Sequence, residues 1–386
     1  VRMRAPMMSI HTVAAGGGAI LSFRDGRMQV GPESAGANPG PAAYRRGGPL
    51  TVTDCNVLLG KLQPDQFPSV FGPDGNLPLD TGIVREKFTA LAQEIGSDKS
   101  IEELATGFLR IAVENMANAI KKISVQRGYD VTQYTMNSFG GAGGQHACLV
   151  ADALGMKTIF IHPYAGVLSA FGMGLADIRA IREHQFQRDL ADTDAKNVLA
   201  ELTDEVMAEV IRQGGPRKDI AVTRTAHIRP ADAQRSLEVV FSTPQTMQSA
   251  FLEAHKNRFG FYPETEDLII DMLVVEAAGN TGERVTLPNQ TPSDVGNASA
   301  RLYTDGAWQD APLIDRNQMA LGQTVKGPAI LVEPTGTNIV EAGWQATCKE
   351  GGNLVLHRMT EIKRTEAIGT SVDPVLLEVF NNLFMS

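Results

Sequence analysis

The sequence predicts an α/β fold, and three features of the chain lead to this prediction. Residues 101–161 read in order as a helix, an extended run, a glycine-rich loop, a second helix and a strand, an alternation typical of α/β architecture. Apolar residues in the helical segments recur at alternating steps of three and four, as a helix with one buried face requires. Beyond Gly279 the chain consists of short strand-like runs with frequent turns, which indicates a β-rich C-terminal region.

The N-terminal part predicts a β-hairpin preceded by three glycines. Asp25-Gly26 lies between two strand-like runs and is typical of a two-residue hairpin turn. Gly16, Gly17 and Gly18 stand in or between strands, where glycine weakens pairing and is explained either by a bulge or by the close approach of a ligand. The first residues run directly into this motif without an initiator methionine, so we expect a piece of a longer protein.

A long helix before the central glycine-rich loop has clear end signals. Ser100 and Glu103 form a capping-box pattern at its start, and Gly128 follows its last basic residues. Its apolar stripe, from Leu109 to Ile123, predicts a helix face buried in the core. The sequence also predicts helices over residues 83–95, 145–154, 199–211 and 246–258, and strands over residues 158–161 and 268–277.

The segment 137–147 combines an extended run, five small residues and the start of an apolar helix. Residues 140–144 carry no bulky side chain, so a ligand can approach backbone N–H groups and the positive end of the following helix. This layout is typical of an anion-binding loop, and a tight turn with glycines for packing alone is the alternative. A second small-residue stretch, 163–174, leads to Asp177. Close helix packing explains most of its glycines, and the alternative is that Asp177 reaches a ligand from a helix.

Asp54 opens an apolar segment and has two candidate roles. An aspartate placed here is typically an N-cap of a helix, and the same carboxylate also suits a bound metal–phosphate group. The Pro- and Gly-rich run 31–49 before it contains polar residues such as Glu33 and Asn38, which favour a rigid loop over a flexible linker.

Composition and charge exclude several classes of partner. The chain has 386 residues, which indicates two or three domains, and a net charge of -9 without a basic block. Nucleic acid and anionic membranes both require clustered Lys and Arg, so we expect neither as a partner. Cys55, Cys148 and Cys348 lie far apart without metal-ligand spacing, which favours a reducing cytoplasm.

Taken together, the motifs resemble the hydantoinase A/oxoprolinase family, and their order and spacing match over almost the whole chain. Within that family the residues of these motifs are most similar to those of ATP-dependent 5-oxoprolinases. From residue 373 onward the chain resembles the opening of the partner hydantoinase B region. The matching segments are His11-Thr-Val-Ala-Ala-Gly-Gly-Gly, Val30-Gly-Pro-Glu-Ser-Ala-Gly-Ala, Pro39-Gly-Pro-Ala, Arg46-Gly-Gly-Pro, Thr51-Val-Thr-Asp, Leu59-Gly, Phe139-Gly-Gly-Ala-Gly-Gly-Gln-His-Ala-Cys, Leu168-Ser-Ala-Phe-Gly and Gly327-Pro-Ala-Ile.

The resemblance implies a nucleotide-binding fold of the actin, sugar-kinase and heat-shock-chaperone superfamily, in which two α/β lobes clasp ATP. Residues 16–18 would then belong to the second phosphate hairpin, and residues 140–144 to the turn beside the adenosine. The first hairpin would lie upstream of Val1. One departure is that Ala14-Ala15 stands where relatives often have an aspartate before the triple glycine.

The resemblance also implies domain boundaries. These are an ATPase-like α/β domain, incomplete at its N-terminus, over residues 1–185, an α+β region over 186–285 and a β-rich domain over 286–362. Residues 363–386 would form a linker and the start of a hydantoinase B-like region.

The implied reaction is the ATP-driven opening of the lactam of 5-oxoproline to glutamate. Phosphorylating the lactam oxygen makes it a leaving group, and such a step requires backbone N–H groups, Mg²⁺ and a carboxylate. The implied catalytic residues are Asp54, Glu33 and His11, and the implied Mg²⁺ ligands are Asp54 and Asp177. The implied ATP-binding residues are Gly16, Gly17, Gly18, Gly140, Gly141, Ala142, Gly143, Gly144, Gln145 and His146. The implied partners are 5-oxoproline or a related cyclic amide, a hydantoinase B-like region of the same chain or of another subunit, and further copies in a homo-oligomer.

Several alternatives stay open. Related subunits of the family serve hydantoin hydrolysis or ATP-dependent ketone carboxylation, and a nucleotide-binding scaffold without activity of its own is a third possibility. The chain has Arg229-Pro-Ala-Asp where the family often has Arg-Tyr-x-Gly, which leaves the role of that loop open. A dinucleotide-binding oxidoreductase is rejected because His146 occupies the place of the third glycine and no acidic residue follows the next strand.

Overall fold

The computed structural model of the protein describes residues 12–13, 15–126, 128–215, 218–263, 267–279, 298–361, 375 and 378, with residues 125 and 126 as backbone only. Contacts divide the chain into two compact units. Unit 1 comprises Val1–Leu168 and Leu287–Ser386, and unit 2 comprises Ser169–Thr286. Among the described helices, none combines the length and the apolar character needed to cross a membrane.

Helices and strands alternate along much of the described chain. The helices are α1 (Val52–Leu58), α2 (Thr81–Ile95), α3 (Ile101–Gln126), α4 (Gly143–Leu154), α5 (Leu168–Leu175), α6 (Asp194–Arg212) and α7 (Pro244–Phe259). The strands are β1 (Ala19–Arg24), β2 (Arg27–Ser34), β3 (Met136–Asn137), β4 (Thr158–Ile161), β5 (Ile178–Asp189), β6 (Ile220–Pro230), β7 (Leu237–Val240), β8 (Leu268–Gly279), β9 (Ser299–Thr304), β10 (Ala307–Asp315), β11 (Thr324–Lys326), β12 (Ala329–Glu333), β13 (Gly336–Val340), β14 (Trp344–Cys348) and β15 (Leu354–Arg358).

Local sequence signals produced the predicted N-terminal hairpin and the start of α3. Strands β1 and β2 pair in antiparallel fashion around Asp25 and Gly26, whose φ angles of 52° and 74° belong to a two-residue hairpin turn. At the start of α3 the backbone N–H of Ser100 donates to Glu103 Oε2 at 2.8 Å, and the N–H of Glu103 donates to Ser100 Oγ at 3.2 Å. Both predictions are confirmed.

A five-stranded sheet in unit 1 positions the central loop. Its order is β11-β14-β15-β4-β3, with β3 and β4 parallel and β4 and β15 antiparallel. The C-terminal strands therefore complete the sheet that begins with β3 and β4. Helix α4 follows β3 through the glycine-rich loop, and the loop is tied down where Ser138 N–H donates to Phe160 O at 2.9 Å and Gly140 N–H donates to Ala165 O at 2.8 Å.

A second sheet of unit 1 has the order β13-β12-β10-β9. Together with β11, β14 and β15 of the five-stranded sheet, these strands form the predicted β-rich C-terminal region. Arg316 directly follows β10 and is buried. Its guanidinium donates to Glu333 Oε2 at 2.6 Å and to the carbonyl oxygens of Ile161 and Gly352 at 2.8 and 3.1 Å. These bonds satisfy a buried charge, as its position requires.

Unit 2 consists of an antiparallel sheet of order β5-β8-β6-β7 with helices α6 and α7, and its core includes Val206, Phe251 and Leu273. Arg229 organises the turn after β6. Its Nε donates to Asp271 Oδ1 at 3.0 Å, and its Nη1 donates to three carbonyl oxygens of the turn, those of Pro230, Ala231 and Ala233. The turn at Arg229-Pro-Ala-Asp is therefore held by its own arginine.

Candidate functional site

The two glycine-rich segments of the sequence line one cavity of about 490 Å³ in unit 1. We call it the glycine cavity. Gly16 and Gly17 form one side of it, and Ala142, Gly143 and His146 form another. A volume of this size falls within the range of small-molecule sites. The structure thus brings together two segments that the sequence predicted separately.

The carbonyl oxygens of Gly16, Gly17 and Gly18 all accept hydrogen bonds from other residues of the chain. Gly16 O accepts from the N–H of Ala19 at 3.0 Å, and Gly18 O accepts from the N–H of Ala35 at 2.9 Å. Gly17 O accepts from both the N–H and the hydroxyl of Thr53, at 2.9 and 3.0 Å. With the carbonyl groups occupied, the N–H groups of the loop are the polar backbone atoms that remain for a ligand with acceptor atoms.

Glycine occupies the positions of the two loops for different structural reasons. A Cβ atom at Gly16 would meet no other atom within 4 Å, whereas one at Gly17 would lie 2.8 Å from Thr53 Oγ1. At Gly143 it would lie 3.2 Å from Ser138 Oγ, and at Gly144 it would overlap the side chain of Asn338. Packing therefore requires glycine at 17 and 144, while position 16 has free space in front of it.

Two further loop positions also have packing or backbone reasons for glycine. Gly140 has a φ angle of 89°, which favours glycine, and a Cβ at Gly141 would lie 3.1 Å from the carbonyl oxygen of Thr335. Gly18 is similarly close to Ser34, at 2.9 Å from its Oγ. Of the predicted ATP-binding residues, Gly18, Gly140, Gly141, Gly144 and Gln145 lie beside the cavity wall without lining it.

Part of the cavity wall is apolar. It consists of Met116, Ile120 and Ile123 on α3 and of Ala147 and Val150 on α4. The sequence predicted the whole stripe of α3 to be core. This is correct for Leu109 and Val113, which are buried, and for Met116 and Ile120, which are partly buried against the core. The second half of the stripe also borders the cavity.

Phe139 stands at the cavity with 55% of its surface exposed. An exposed aromatic ring beside an apolar wall is the arrangement that accepts a planar ring by stacking. The lining of the glycine cavity therefore includes backbone N–H groups as well as apolar and aromatic surfaces that a flat ring could contact.

His146 is the one titratable side chain that lines the glycine cavity in the described part of the chain, and only 4% of its surface is exposed. Its Nε2 lies 3.4 Å from Asn56 Nδ2, and its Nδ1 has no hydrogen-bond partner among the described residues. Burial and the nearby charge of Lys61 lower the pKa of His146 to about 3. The imidazole is therefore neutral at pH 7, with one N–H and one acceptor nitrogen.

Asp54 is completely buried and holds the chain around the start of α1. Its carboxylate accepts from the backbone N–H groups of Ala42, Ala43 and Thr51 at 3.1, 2.8 and 2.8 Å, and from the hydroxyl of Thr51 at 2.9 Å. The N-cap prediction was wrong by three residues. Thr51 is the N-cap of α1, and Asp54 is the third helical residue that completes a capping box. Burial raises the pKa of Asp54, and the hydrogen bonds oppose that rise.

The other predicted acidic and His residues have no shared site in the described structure. Glu33 is exposed near the end of β2 and does not line the glycine cavity. Asp177 belongs to unit 2, lies between α5 and β5 rather than on a helix, and pairs with Arg179 at 3.6 Å. The expectation that it reaches a ligand from a helix is therefore wrong about the element. His11 lies outside the described residues.

The described residues do not fit a Mg²⁺ site built from protein ligands. Both oxygens of Asp54 are occupied by hydrogen bonds, and the described His, Cys, Asp and Glu residues form no group of three or more that could hold a metal ion. The assignment of Asp54 and Asp177 as Mg²⁺ ligands stays a prediction.

Sequence reasoning missed a second cavity of unit 1, of about 510 Å³, which we call the charged cavity. Lys61 and Glu341 form a buried ion pair on its wall. Beside them, Asp152 Oδ1 accepts from Trp344 Nε1 at 3.1 Å and lies 3.3 Å from Arg358 Nε. One residue could have indicated this cavity from the sequence: Asp152, a single aspartate within the apolar helix α4.

Asp152 makes stability depend on pH. Burial raises the pKa of Asp152 to about 6 and outweighs the opposing effect of Arg358. Its contribution to the free energy of unfolding is therefore full at pH values below the ordinary aspartate pKa, and it is lost as the pH rises through about 6. We expect wild type to lose about 1–2 kcal/mol relative to Asp152→Asn between pH 4 and pH 7, after allowing for solvent screening.

Denaturant unfolding of both proteins across this pH range measures the difference. The exposed Asp74→Asn is the control and should follow wild type at each pH. A constant difference between wild type and Asp152→Asn would contradict the raised pKa.

Family models match most of the chain. The hydantoinase/oxoprolinase family matches residues 1–182, and the hydantoinase/oxoprolinase C-terminal domain matches residues 253–360. A 5-oxoprolinase of Saccharomyces cerevisiae is 36% identical over an alignment that covers 99% of this chain and 32% of the yeast protein. The chain therefore spans about a third of the length of the curated 5-oxoprolinases it matches, at 31% to 32% of each.

Two solved structures share the fold. The ATP-dependent caprolactamase from Pseudomonas jessenii has a TM-score of 0.70 and 25% identity, and an acetone carboxylase in its nucleotide-free form has a TM-score of 0.70 and 20% identity. Each comparison covers 89% of this chain and 52% of the other. The predicted fold class, an α/β nucleotide-binding lobe followed by α+β and β-rich regions, is confirmed.

Proposed function

The chain belongs to the hydantoinase/oxoprolinase family, and from this premise we propose that it is part of an ATP-dependent amidohydrolase that opens the lactam of 5-oxoproline to glutamate, with release of ADP and phosphate. The observation that carries the ATP-dependent half of the proposal is the glycine cavity, which residues of two glycine-rich loops and an apolar wall line together. Support for the lactam comes from relatives, which include 5-oxoprolinases and a caprolactamase.

ATP is compatible with the cavity because of the space at Gly16. A Cβ atom would fill that space, which is expected where a ligand approaches the backbone closely. We assign the phosphates to the N–H groups of residues 16–18 and the start of α4, and the base to the wall of Met116, Ile120 and Val150 beside Phe139.

Bound ATP supplies the phosphoryl group that converts the lactam oxygen into a leaving group, because a lactam carbonyl is a poor electrophile on its own. The residues of this chain orient the nucleotide for that transfer. Backbone N–H groups at Gly16 and Gly17 would donate to its oxygens, and the apolar wall would exclude water from its base. We place the attack of water in the hydantoinase B-like region.

We further propose a cytoplasmic protein that functions as a homo-oligomer together with its B-like region. Cys55, Cys148 and Cys348 are buried and form no disulfide among the described residues, which is compatible with a reducing compartment.

Phosphate release by the full-length parent protein tests the proposed function. We expect ATP hydrolysis only when 5-oxoproline is present, together with stoichiometric glutamate. Hydantoin, caprolactam and acetone are the comparison substrates, each measured against a reaction without substrate. A response to one of these compounds and none to 5-oxoproline would contradict the oxoprolinase assignment. ATP binding without turnover on any compound would indicate a nucleotide-binding scaffold.

A further inference from the structure

We infer that Thr335, in the turn between β12 and β13, is a positioning residue for the glycine-rich loop at residues 140–144. Thr335 packs on the backbone of Gly141 and Gly166 and thereby determines where the loop borders the glycine cavity. The effect of Thr335 on the loop concerns only residues of this chain. Its effect on nucleotide binding rests on the proposed function.

The glycine-rich loop and a second loop leave the five-stranded sheet at the same edge. The glycine-rich loop follows β3, residues 162–167 follow β4, and these two strands are parallel. A backbone hydrogen bond joins the two loops, from Gly140 N–H to Ala165 O at 2.8 Å. The position of either loop therefore depends on the position of the other.

Thr335 contacts both loops. A Cβ atom at Gly166 would lie 2.5 Å from Thr335 Cβ and 2.6 Å from the carbonyl oxygen of Thr335, and a Cβ atom at Gly141 would lie 3.1 Å from the same oxygen. Gly336, the next residue of the turn, is also close, since its own Cβ atom would lie 3.2 Å from Gly141 O. The turn approaches the backbone of both loops this closely because neither Gly141 nor Gly166 carries a side chain.

The turn that carries Thr335 is fixed at its base. Glu333, the last residue of β12, accepts from Arg316 Nη1 at 2.6 Å, and Arg316 Nη2 donates to Ile161 O at 2.8 Å. Ile161 is the last residue of β4, directly before the loop that contains Gly166. Both side chains of the ion pair are almost completely buried, so Arg316 joins the base of the turn to the base of that loop.

The residues of the glycine-rich loop have two sets of neighbours. Ala142 and Gly143 line the glycine cavity, whereas Gly141 lies against Thr335 and Gly144 lies against Asn338 of β13. Because a peptide bond is rigid, a displacement of Gly141 also moves Ala142, and α4 begins at the next residue. The turn between β12 and β13 therefore acts on the cavity through the loop, although Thr335 does not line the cavity.

Hydrogen exchange of the full-length parent protein, followed by mass spectrometry, measures the loop without any ligand. We expect Thr335→Gly to accelerate exchange in peptides that contain Gly140 by about tenfold, because the bond from Gly140 N–H to Ala165 O would open more often. Thr335→Val keeps the branched shape that contacts Gly166 and should exchange like wild type. Thr193→Gly is the matched control, since Thr193 is exposed and its side chain makes no capping hydrogen bond.

A double variant tests whether Thr335 acts through Gly166. Gly166→Ala alone is expected to accelerate the same exchange, because its methyl group would collide with Thr335. Adding Thr335→Gly removes the Cβ and Oγ1 atoms of Thr335 from that collision, so the double variant should exchange no faster than Gly166→Ala. Gly172→Ala is the control, because a Cβ atom at Gly172 would meet nothing within 4 Å. Additive acceleration in the double variant, or unchanged exchange in both single variants, would overturn the inference.

Titration with ATP separates the positioning role from the proposed function. We expect Thr335→Gly to weaken ATP binding and to raise the KM for ATP by about tenfold with little change in kcat, and Thr335→Val to retain the wild-type affinity. A merely structural role would lower the thermal stability and leave the ATP affinity unchanged. If exchange responds to Thr335→Gly while wild type binds no ATP, the proposed function is wrong and the role of Thr335 in the loop stands. If exchange responds and the ATP affinity does not, the role of Thr335 in nucleotide binding is wrong.

Discussion

Gly16→Val is expected to keep the fold and to weaken ATP binding by about 100-fold or more, since a branched side chain would occupy the space that the ligand needs. The backbone at Gly16 is outside the left-handed region, so valine is compatible with it. A Cβ atom there would meet nothing within 4 Å, so the fold has no reason to reject the substitution. The added methyl groups enter the glycine cavity, which Gly16 borders.

Calorimetric titration of ATP and thermal unfolding of the full-length parent measure both halves of this prediction. Gly172→Val is the matched control, because Gly172 is exposed, a Cβ atom there would also meet nothing within 4 Å, and the residue does not line the cavity. Gly144→Val should show the opposite result, a loss of stability, because Asn338 occupies the space beside Gly144. Undiminished ATP affinity in Gly16→Val would show that the nucleotide binds elsewhere.

Asp54→Ala is expected to lower the free energy of unfolding by about 3–5 kcal/mol, because it leaves several buried donors without an acceptor. Three of these donors are backbone N–H groups, at Ala42, Ala43 and Thr51. The substitution would release the loop that precedes α1 and the start of the helix together. Phosphate release should also decrease by orders of magnitude, as a consequence of the lost structure.

Denaturant unfolding distinguishes this structural role from the predicted metal role. Asp54→Asn keeps the volume of the side chain and one acceptor oxygen, so an intermediate loss of stability is expected. The exposed Asp74→Ala is the control and should unfold like wild type within about 0.5 kcal/mol. A stable Asp54→Asn that no longer binds ATP with Mg²⁺ would favour the role of Asp54 as a metal ligand.

The elements that were predictable from sequence depend on neighbouring residues. The turn at Asp25 and Gly26 follows from backbone sterics, and the capping box at Ser100 and Glu103 follows from donors and acceptors three residues apart. The glycine-rich loop before α4 was recognisable because small residues cluster there and the helix follows at once. Such signals involve short stretches of chain and need no knowledge of the tertiary fold.

The candidate site was predictable only in part. Gly16, Gly17, Ala142, Gly143 and His146 were singled out from the sequence and line the glycine cavity. The partnership of Asn56 with His146 was missed, because their positions are far apart along the chain and neither motif indicates the other. The charged cavity was missed for the same reason, since Asp152 and Arg358 meet only through the packing of α4 against the C-terminal strands. The predicted domain boundaries stay a prediction.

By itself, the sequence determined the α/β class, the approximate ends of several helices, the family and the presence of two glycine-rich loops. Only the tertiary structure decided that these loops face one cavity, that β15 pairs with β4, that Asp54 is occupied by hydrogen bonds, and that His146 is neutral with an unpartnered nitrogen. The physical reason is one of range. Backbone sterics, capping and periodicity act over a few residues, whereas cavities, buried ion pairs and pKa values depend on which distant segments exclude water from one another.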